Sequence, residues 1–309
     1  MGHFIIRRLV SSILALLLII TFTFILVHMV PGGPFASEKQ LPDSVMRNLE
    51  EKFHLNDPLW LQYVKYLGQV VKGDLGPSYK YENRTVNEFI RHGFPVSATL
   101  GALAVAIALV VGITLGIIAA LRQNRWQDYL AMVIATIGFS APSFIVASLL
   151  MFLFAYKIKI FPTAMWGTPA HAVLPSLALA TLPTAFISRL IRANMIEVLQ
   201  QDYIKTARSK GLSERVIIYK HALKNAILPV VTYLGPLIAS IFTGSFVIEK
   251  IFAIPGIGRD FVIAITNRDY GLILGLTIFY AVFLMAMNLI VDLSYSLIDP
   301  RIKLTRGEG

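Results

Sequence analysis

Residues 95–121 read PVSATLGALAVAIALVVGITLGIIAAL, and no charged side chain interrupts this stretch. At a rise of 1.5 Å per residue it would form an α-helix about 40 Å long, which is longer than the roughly 30 Å hydrocarbon core of a bilayer. A helix of this length can tilt in the bilayer or extend beyond the lipid. The stretch therefore predicts a transmembrane helix.

Five further runs are long and apolar enough to cross a membrane. They are Leu9 to Val30, Tyr129 to Tyr156, a run within Ile160 to Ser188, Asn225 to Ile248, and Gly271 to Ile298. Pro142 lies inside the third of the six runs, and the helix of the fourth is expected to begin near Val173, with Pro175 in its first turn. The composition agrees, since 56% of the residues are hydrophobic, only 15% are charged and the mean hydropathy is +0.66. The chain is therefore expected to be an all-α polytopic membrane protein, with six transmembrane helices in one domain over residues 1–309.

The first run follows Arg7 and Arg8, which is also how a secretory signal peptide begins. Its apolar length exceeds the 7–15 residues usual for the apolar core of such a peptide. We therefore favour a first helix that stays in the membrane as an anchor.

The short segments between the runs predict the orientation, because Lys and Arg concentrate on the cytoplasmic side. With the N-terminus inside, basic residues outnumber acidic ones more than twofold in the inner segments, whereas the outer segments are nearly balanced. Both termini are expected in the cytoplasm. The formal net charge of +10 is explained by this asymmetry, so we expect no nucleic-acid partner.

Two segments outside the runs are too long to be simple connections. Residues 31–94 form an outer insertion between the first two helices, and its aromatic content favours a small helical cap over a loosely ordered loop. Residues 189–226 form a basic inner segment that is helical in character but too short in apolar length to span. An inner segment of this kind is suited to bind a partner.

The chain lacks the motifs of the common enzyme classes. It has no cysteine, which excludes disulfides, thiolate metal sites and cysteine nucleophiles, and it has no Gly-Lys dipeptide, which excludes a Walker A loop. The histidines are scattered without a zinc-binding pair on one helix face. The sequence therefore predicts no catalytic residue, no metal site and no cofactor of its own.

Asp292 is the ionisable residue well inside a predicted span, and Asn288 lies one turn before it. Ionisable groups inside a membrane often line a transport pathway. Asp292 is also only about 10 Å along a helix from Asp299, close to the predicted cytoplasmic surface. Two interpretations remain open for Asn288 and Asp292: residues of a translocation pathway, or a structural cap or ion pair.

Several motifs resemble one family of transporters. Residues 202–229 read DYIKTARSKGLSERVIIYKHALKNAILP, which is similar to the cytoplasmic EAA loop of ABC-importer permeases in the form found in oligopeptide and dipeptide permeases. Lys205, Thr206 and Ala207 stand at the Glu-Ala-Ala positions, and Gly211 matches the glycine of the pattern. Further stretches resemble the same family, namely 73–76, 95–100, FVIEKIFAIPGIG at 246–258, NRDY at 267–270, NLIVD at 288–292 and IDPR at 298–301. The chain looks most like the first permease subunit of an oligopeptide importer.

The resemblance implies a multi-pass permease of the bacterial plasma membrane that forms half of a peptide pathway. Its implied partners are a second homologous permease, two cytoplasmic ABC ATPases, which bind ATP and Mg, an extracytoplasmic peptide-binding protein, the peptide substrate and the lipid bilayer. An ion-coupled secondary transporter of peptides or small solutes is the alternative, but such transporters often carry several deep ionisable residues. An intramembrane enzyme is disfavoured because no paired catalytic groups are present.

The ATPase-coupling residues implied by the resemblance lie at 202–211, where we expect a short helix that docks into a cleft of an ATPase. They are Asp202, Tyr203, Lys205, Thr206, Ala207, Arg208, Lys210 and Gly211. Tyr203, Ala207 and Lys210 would share one face, Asp202 would cap the first turn, and Gly211 would let the chain leave the helix. A basic loop lying on anionic lipid is the alternative. We also expect the pathway itself to be uncharged, since a fixed charge would select peptides by their charge.

Overall fold

The computed structural model describes residues 2–35 and 42–298, and within these it leaves out the side chains of 2–5, 43, 291 and 293–298. The regular secondary structure of the described part is helical, apart from one isolated bridge between Pro77 and Thr85. The helices are α1 Gly2–Met29, α2 Asp43–Lys52, α3 Leu59–Val71, α4 Val86–Leu121, α5 Trp126–Ser140, α6 Ser143–Leu150, α7 Pro169–Leu199, α8 Asp202–Ser209, α9 Glu214–Val216, α10 Leu223–Ala226, α11 Leu228–Phe242, α12 Phe246–Ile251, α13 Ile257–Asn267 and α14 Tyr270–Ile298. Two π-helical stretches, Met151–Lys157 and Ile217–Ala222, continue α6 and α9.

Five helical segments of the described chain are long and apolar enough to cross a membrane. They are Ile6–Met29, Val86–Leu121, Pro169–Leu199, Leu228–Ile251 and Tyr270–Ile290. A sixth candidate is the pair Trp126–Ser140 and Ser143–Lys157. The all-α membrane architecture is confirmed, with five spans or six if the bent pair counts as one.

The third predicted run is not a continuous helix, which corrects the sequence prediction. α5 ends at Ser140, and the next helix leaves at an angle of 106°. Pro142 causes the break, because a residue before proline avoids the helical region, and Ala141 is extended with φ −81° and ψ 120°. Pro142 then precedes the first residue of α6.

The fourth helix begins and ends elsewhere than expected. It starts at Pro169 instead of near Val173, because the side chain of His171 accepts a hydrogen bond from the Thr168 backbone N–H at 3.2 Å and so satisfies the helix start. It continues to Leu199, so the first part of the predicted inner segment 189–226 is the end of a long helix.

The described residues divide into two compact units, with the boundary inside α4 after Ser97 and again after Ile254. In the unit 98–254, α4 packs closely on α7 at two glycines, whose small size permits the close approach. A Cβ at Gly112 would lie 2.9 Å from the Ile187 side chain, and one at Gly116 would lie 2.7 Å from both Ile191 and the Ser188 carbonyl. The core around this contact contains the buried residues Ile187, Ile191, Met195, Ile204, Ala207, Ile217 and Ala222, among others.

The other unit contains residues up to 97 and from 255 onwards, and it includes the insertion. Here α1 packs on α14, and the predicted helical cap consists of α2, α3 and the turn around 76–81. The cap is joined to the start of α14 through an aromatic cluster of Phe24, Tyr63, Tyr66, Tyr79 and Tyr270. Val86, at the first residue of α4, packs against Gly275, where an added Cβ would lie 2.5 Å away.

Candidate functional site

The predicted coupling segment forms a short helix at almost the expected position. α8 spans Asp202–Ser209 and follows the long α7 after only two residues. Its C-terminal end is closed by two hydrogen bonds, from the Gly211 N–H to the Arg208 carbonyl at 2.9 Å and from the Leu212 N–H to the Ala207 carbonyl at 3.3 Å. This is a Schellman motif, and it places Gly211 at φ +77°, where glycine is favoured. The exit role of Gly211 is confirmed.

The inner face of α8 is attached to the rest of its unit by apolar contacts. Ile204 and Ala207 are buried and belong to the same core as Ile217 and Ala222 of the following π-helical stretch. The prediction that Tyr203, Ala207 and Lys210 present one common docking face is therefore wrong for Ala207. Its methyl group faces the chain's own core. Ile204 and Ala207 are three residues apart and therefore form a narrow apolar stripe on an otherwise polar helix.

The outer face of α8 is exposed and mainly basic. It carries Tyr203, Lys205, Thr206, Arg208 and Lys210, all of which are accessible to solvent. The Tyr203 hydroxyl accepts a hydrogen bond from the Asn225 side-chain amide at 2.7 Å, which orients the tyrosine ring.

Two ion pairs order the charges of this face. Arg208 pairs with Glu214 at 2.9 Å, and Lys205 pairs with Asp202 at 2.9 Å. The hydrogen bond from Lys205 lowers the pKa of the Asp202 carboxyl below its usual value. Asp202 is the first helical residue, after the N-cap position of Gln201, and it makes no capping bond, so its predicted capping role is wrong. Its negative charge still lies near the positive end of the helix dipole.

An ion pair that the sequence analysis missed connects the start of α5 to α7. Arg192 Nε and Nη2 donate to the two carboxylate oxygens of Asp128 at 2.6 and 2.7 Å, and the Asn124 N–H donates to the same carboxylate at 3.0 Å. Asp128 is buried. In the sequence, both residues contribute only to the charge balance of the segments expected in the cytoplasm. An acidic residue at the head of an apolar run was the signal that could have revealed the pair, since such a residue needs a partner.

The two residues considered for the pathway lie on α14, in the other unit. Asp292 accepts a hydrogen bond from Arg8 Nε at 2.7 Å and forms an ion pair with the Arg8 guanidinium. Asn288 is half-buried one turn earlier. Of the two interpretations left open for Asp292, the structure favours an ion pair that joins α1 to α14. Asp299 and the IDPR stretch beyond Ile298 lie outside the described residues.

The NRDY stretch places a second buried carboxylate at the start of α14. Asp269 accepts hydrogen bonds from the Ser78 hydroxyl, from the Tyr79 N–H at 2.9 Å and from the Leu272 N–H at 3.1 Å. Arg268 adopts the left-handed conformation at φ +58° and donates to the Pro31 carbonyl at 2.7 Å. The motif thus ties the insertion to the last helix, a function that sequence reasoning had not assigned.

The largest cavity that we describe in the unit 98–254 is uncharged. It has a volume of about 550 Å³ and lies between the first part of α7, α4 and the turn before α7. Thr99, Trp166, Thr168 and Ser176 contribute its polar groups, and the remaining lining is apolar. The described residues hold no cluster of acidic and histidine side chains suited to a metal ion.

Comparison with known proteins identifies the family. Residues 112–304 match the model of the binding-protein-dependent transport system inner membrane component, and residues 1–101 match the N-terminal model of the same kind of membrane component. The chain belongs to this family. It is a non-catalytic permease subunit of an ABC importer and a multi-pass protein of the inner membrane, and such a subunit works with separate ATPase and binding-protein partners. Because the chain belongs to this family, the alternative of an ion-coupled secondary transporter is rejected.

Relatives of both peptide branches match the permease over nearly its whole length. It is 52% identical to the dipeptide transport system permease protein of Bacillus subtilis, over 98% of this chain and 99% of the relative. It is 47% identical to the oligopeptide transport system permease protein of Escherichia coli, over 98% and 100% of the two chains. A crystal structure of an amino acid ABC transporter with histidines matches with a TM-score of 0.51 at 18% identity, covering 70% of this chain and 95% of that chain. This last likeness concerns the fold alone.

Proposed function

We propose that this permease forms half of the translocation pathway of an ATP-driven peptide importer. The observation that carries the proposal is the identity of 47–52% over 98% of the chain to permeases whose names assign them to dipeptide and oligopeptide transport. The complete importer would contain a second homologous permease, two ATPases and an extracytoplasmic peptide-binding protein. Uptake of labelled di- and oligopeptides into cells that lack the chain, with and without its restoration, tests the substrate class. Uptake that does not depend on the chain for any peptide would contradict the proposal.

The pathway is proposed to be uncharged, so that peptides of different charge pass through it. The uncharged cavity of the unit 98–254 supports this idea, as does the Arg8 partner of Asp292, which neutralises the carboxylate. We expect Asp292→Asn to change the uptake rate or the protein stability and to leave the ratio of acidic to basic peptide uptake unaltered. Competition between acidic and basic peptides measures this ratio. A large change in the preference would refute the uncharged pathway.

We place both termini and residues 189–226 in the cytoplasm and residues 31–94 outside. The charge asymmetry of the short segments supports this orientation. Single cysteines provide the test, because the chain has none of its own. An impermeant thiol reagent applied to intact cells should label a cysteine at 65 and spare one at 209. The opposite labelling pattern would show that the protein has the reverse orientation in the membrane.

We propose further that the outer face of α8 docks into a cleft of the ATPase and transmits its closure to the membrane helices. Two features support it: the helix is attached to its own unit by Ile204 and Ala207, and its basic outer face is left accessible. The short link to α7 would pass a displacement of α8 directly to a long helix.

Thr206→Trp tests docking against lipid attraction, since it adds bulk to the outer face of α8 without changing its charge. Docking predicts loss of ATPase recruitment, whereas attraction to anionic lipid depends on charge and would be unaffected. Gln123→Trp adds the same bulk to an exposed residue of the turn between α4 and α5 and serves as the matched control. Co-purification of the ATPase with each variant measures recruitment. Normal recruitment by Thr206→Trp would refute the docking assignment.

A further inference from the structure

Helix α3 of the insertion has an apolar surface wider than the part that the protein covers. On one side Tyr63 and Tyr66 belong to the aromatic cluster and are partly buried. Adjacent to them, Trp60, Val64 and Val71 recur at intervals of four and seven residues and so form one stripe. Trp60 is 67% exposed and Val71 is 86% exposed. The polar residues of the helix, among them Lys65 and Gln69, lie on the opposite side.

The depth of α3 follows from its contacts with α1. The Tyr63 hydroxyl and Thr21 Oγ1 are 2.7 Å apart, the rings of Tyr63 and Phe24 meet edge to face, and His28 contacts Gln62 at 3.3 Å. Thr21 lies about 12 Å before the end of the candidate span Ile6–Met29, at 1.5 Å per residue. α3 therefore runs beside the last turns of a transmembrane helix.

The exposed stripe is continuous with the lipid-facing surface of α1. Ile25, Leu26 and Met29 are exposed apolar residues at the end of α1. An apolar groove of about 290 Å³ joins them to α3, and its lining includes Ile25, Met29, Leu59 and Trp60. In an inner-membrane protein an exposed apolar side of a spanning helix is suited to contact lipid, and the apolar surface next to it at the same depth is then suited to the interface.

We propose that α3 lies in the interfacial region of the bilayer, with the stripe of Trp60, Val64 and Val71 inserted among the upper acyl chains. The partner is phospholipid of the leaflet that surrounds the C-terminal end of α1. Tryptophan is enriched at this depth because its ring is apolar and its N–H is polar. Helices with one apolar and one charged face insert to about 5–10 Å at the boundary of headgroups and acyl chains. The inference depends on the membrane location of the family and is independent of which side the insertion faces.

The test uses single cysteines carrying a nitroxide spin label, in the permease assembled with its partner subunits and placed in lipid nanodiscs. Position 64 lies on the stripe, and position 69 is the matched control, since it is an exposed residue of the same helix about 140° away. At 64 we expect the label to collide more with oxygen, which dissolves in lipid, than with a water-soluble nickel chelate. At 69 the order of the two collision rates should reverse.

Two results would overturn the proposal. If nickel collisions dominate at 64 as they do at 69, the stripe faces water. If both reagents are excluded at 64, another protein subunit covers the stripe. A second measurement covers the case that a labelled variant fails to assemble: fluorescence of Trp60, with Trp126 and Trp166 replaced by Phe, in nanodiscs made with lipids brominated near the headgroup end of the acyl chains. We expect quenching by these lipids, and emission unchanged by them would refute insertion.

Discussion

The cap turn at 76–81 and the coupling helix α8 are both short segments attached outside the long helices, but they are attached by opposite means. The cap turn is bonded to a buried carboxylate, since the side chain of Asp269 accepts from Ser78 and from the Tyr79 backbone. The coupling helix is attached by two buried apolar side chains, Ile204 and Ala207, and its ion pairs are exposed.

The two kinds of attachment differ in which polar and charged groups they leave free to bind other proteins. A buried hydrogen-bond network rigidly specifies one arrangement, and losing a member leaves the other members unsatisfied. An apolar attachment leaves every charge of the helix on its outer face, where the charges can exchange one partner for another at small cost. The cap turn is thus built to stay in place, and the coupling helix is built to present its charges.

The largest effect is expected where the buried network is cut. Asp269→Ala should destabilise the permease by about 3 kcal/mol or more, because the donors of Ser78, Tyr79 and Leu272 lose their acceptor inside the protein. Thermal unfolding of the purified protein in detergent measures the loss. Glu82→Ala removes an exposed carboxylate of the same segment and is the control, expected to stay within about 0.5 kcal/mol. Equal effects of the two substitutions would show that the hydrogen bonds to Asp269 do not hold the cap turn in place.

The second prediction compares the two faces of α8. Ala207→Trp should cost about 1–3 kcal/mol, because the new ring has to enter a packed core. Thr206→Trp on the exposed side should leave the stability within about 0.5 kcal/mol. Unfolding curves of both variants in detergent separate the faces. A stable Ala207→Trp protein would show that the inner face of α8 is loosely packed.

The third prediction uses pH to weaken the cap through Tyr79. Burial, aided by the charge of Asp269, raises the pKa of the Tyr79 hydroxyl to about 12. An unfolded tyrosine ionises near pH 10. The stabilising contribution of the neutral hydroxyl is therefore complete below pH 10 and is lost as the pH rises towards 12, by up to about 1.4 kcal/mol per pH unit.

Limited proteolysis of residues 42–85 at pH 9 and pH 11 would measure this loss. Cleavage should accelerate more between the two pH values in the wild-type permease than in Tyr79→Phe, which has no hydroxyl to ionise. The acceleration that remains in Tyr79→Phe includes the contribution of Tyr66, whose pKa is also raised by burial. Identical acceleration in the two proteins would show that Tyr79 does not control the cap.

The smallest effect on stability is expected from the exposed charges of α8. Arg208→Ala breaks the surface ion pair with Glu214 and should change the stability by no more than about 0.5 kcal/mol. If the outer face docks as proposed, the same change should weaken ATPase recruitment, and added salt should weaken recruitment by the wild-type permease in the same direction. Co-purification at low and high salt measures both. A clear loss of stability would mean that the charges of α8 hold it in place.

Much of the fold was predictable because the bilayer imposes a local rule. A chain segment that crosses lipid as a helix has to be long and apolar, so a run such as 95–121 can be recognised from length and hydropathy alone. Local chemistry also predicted that the chain leaves the coupling helix at Gly211, where φ is +77°. The motifs shared with ABC-importer permeases predicted the family that the comparisons then confirmed.

The predictions that failed concerned whether a helix continues through a proline and which side of a helix is buried. Pro142 inside an apolar run is compatible with a kinked span, and only the packed structure shows that the chain turns by 106°. The sequence of α8 allows Ala207 to face either outwards or inwards. Its direction is decided by Ile217 and Ala222, which supply the apolar surface that it covers.

The sequence by itself determined the helical membrane class, most of the spans and the family, because hydropathy and motif spacing are properties of contiguous residues. The tertiary structure alone decided which charges are paired. Asp292 forms an ion pair with Arg8 from the other end of the chain, and Asp128 forms one with Arg192 on α7. Asp269 accepts a hydrogen bond from Ser78 in the insertion. Each carboxylate needed a donor once it left water, but the sequence contained many candidate donors. Only the folding of distant helices against one another brought a particular one within hydrogen-bonding distance.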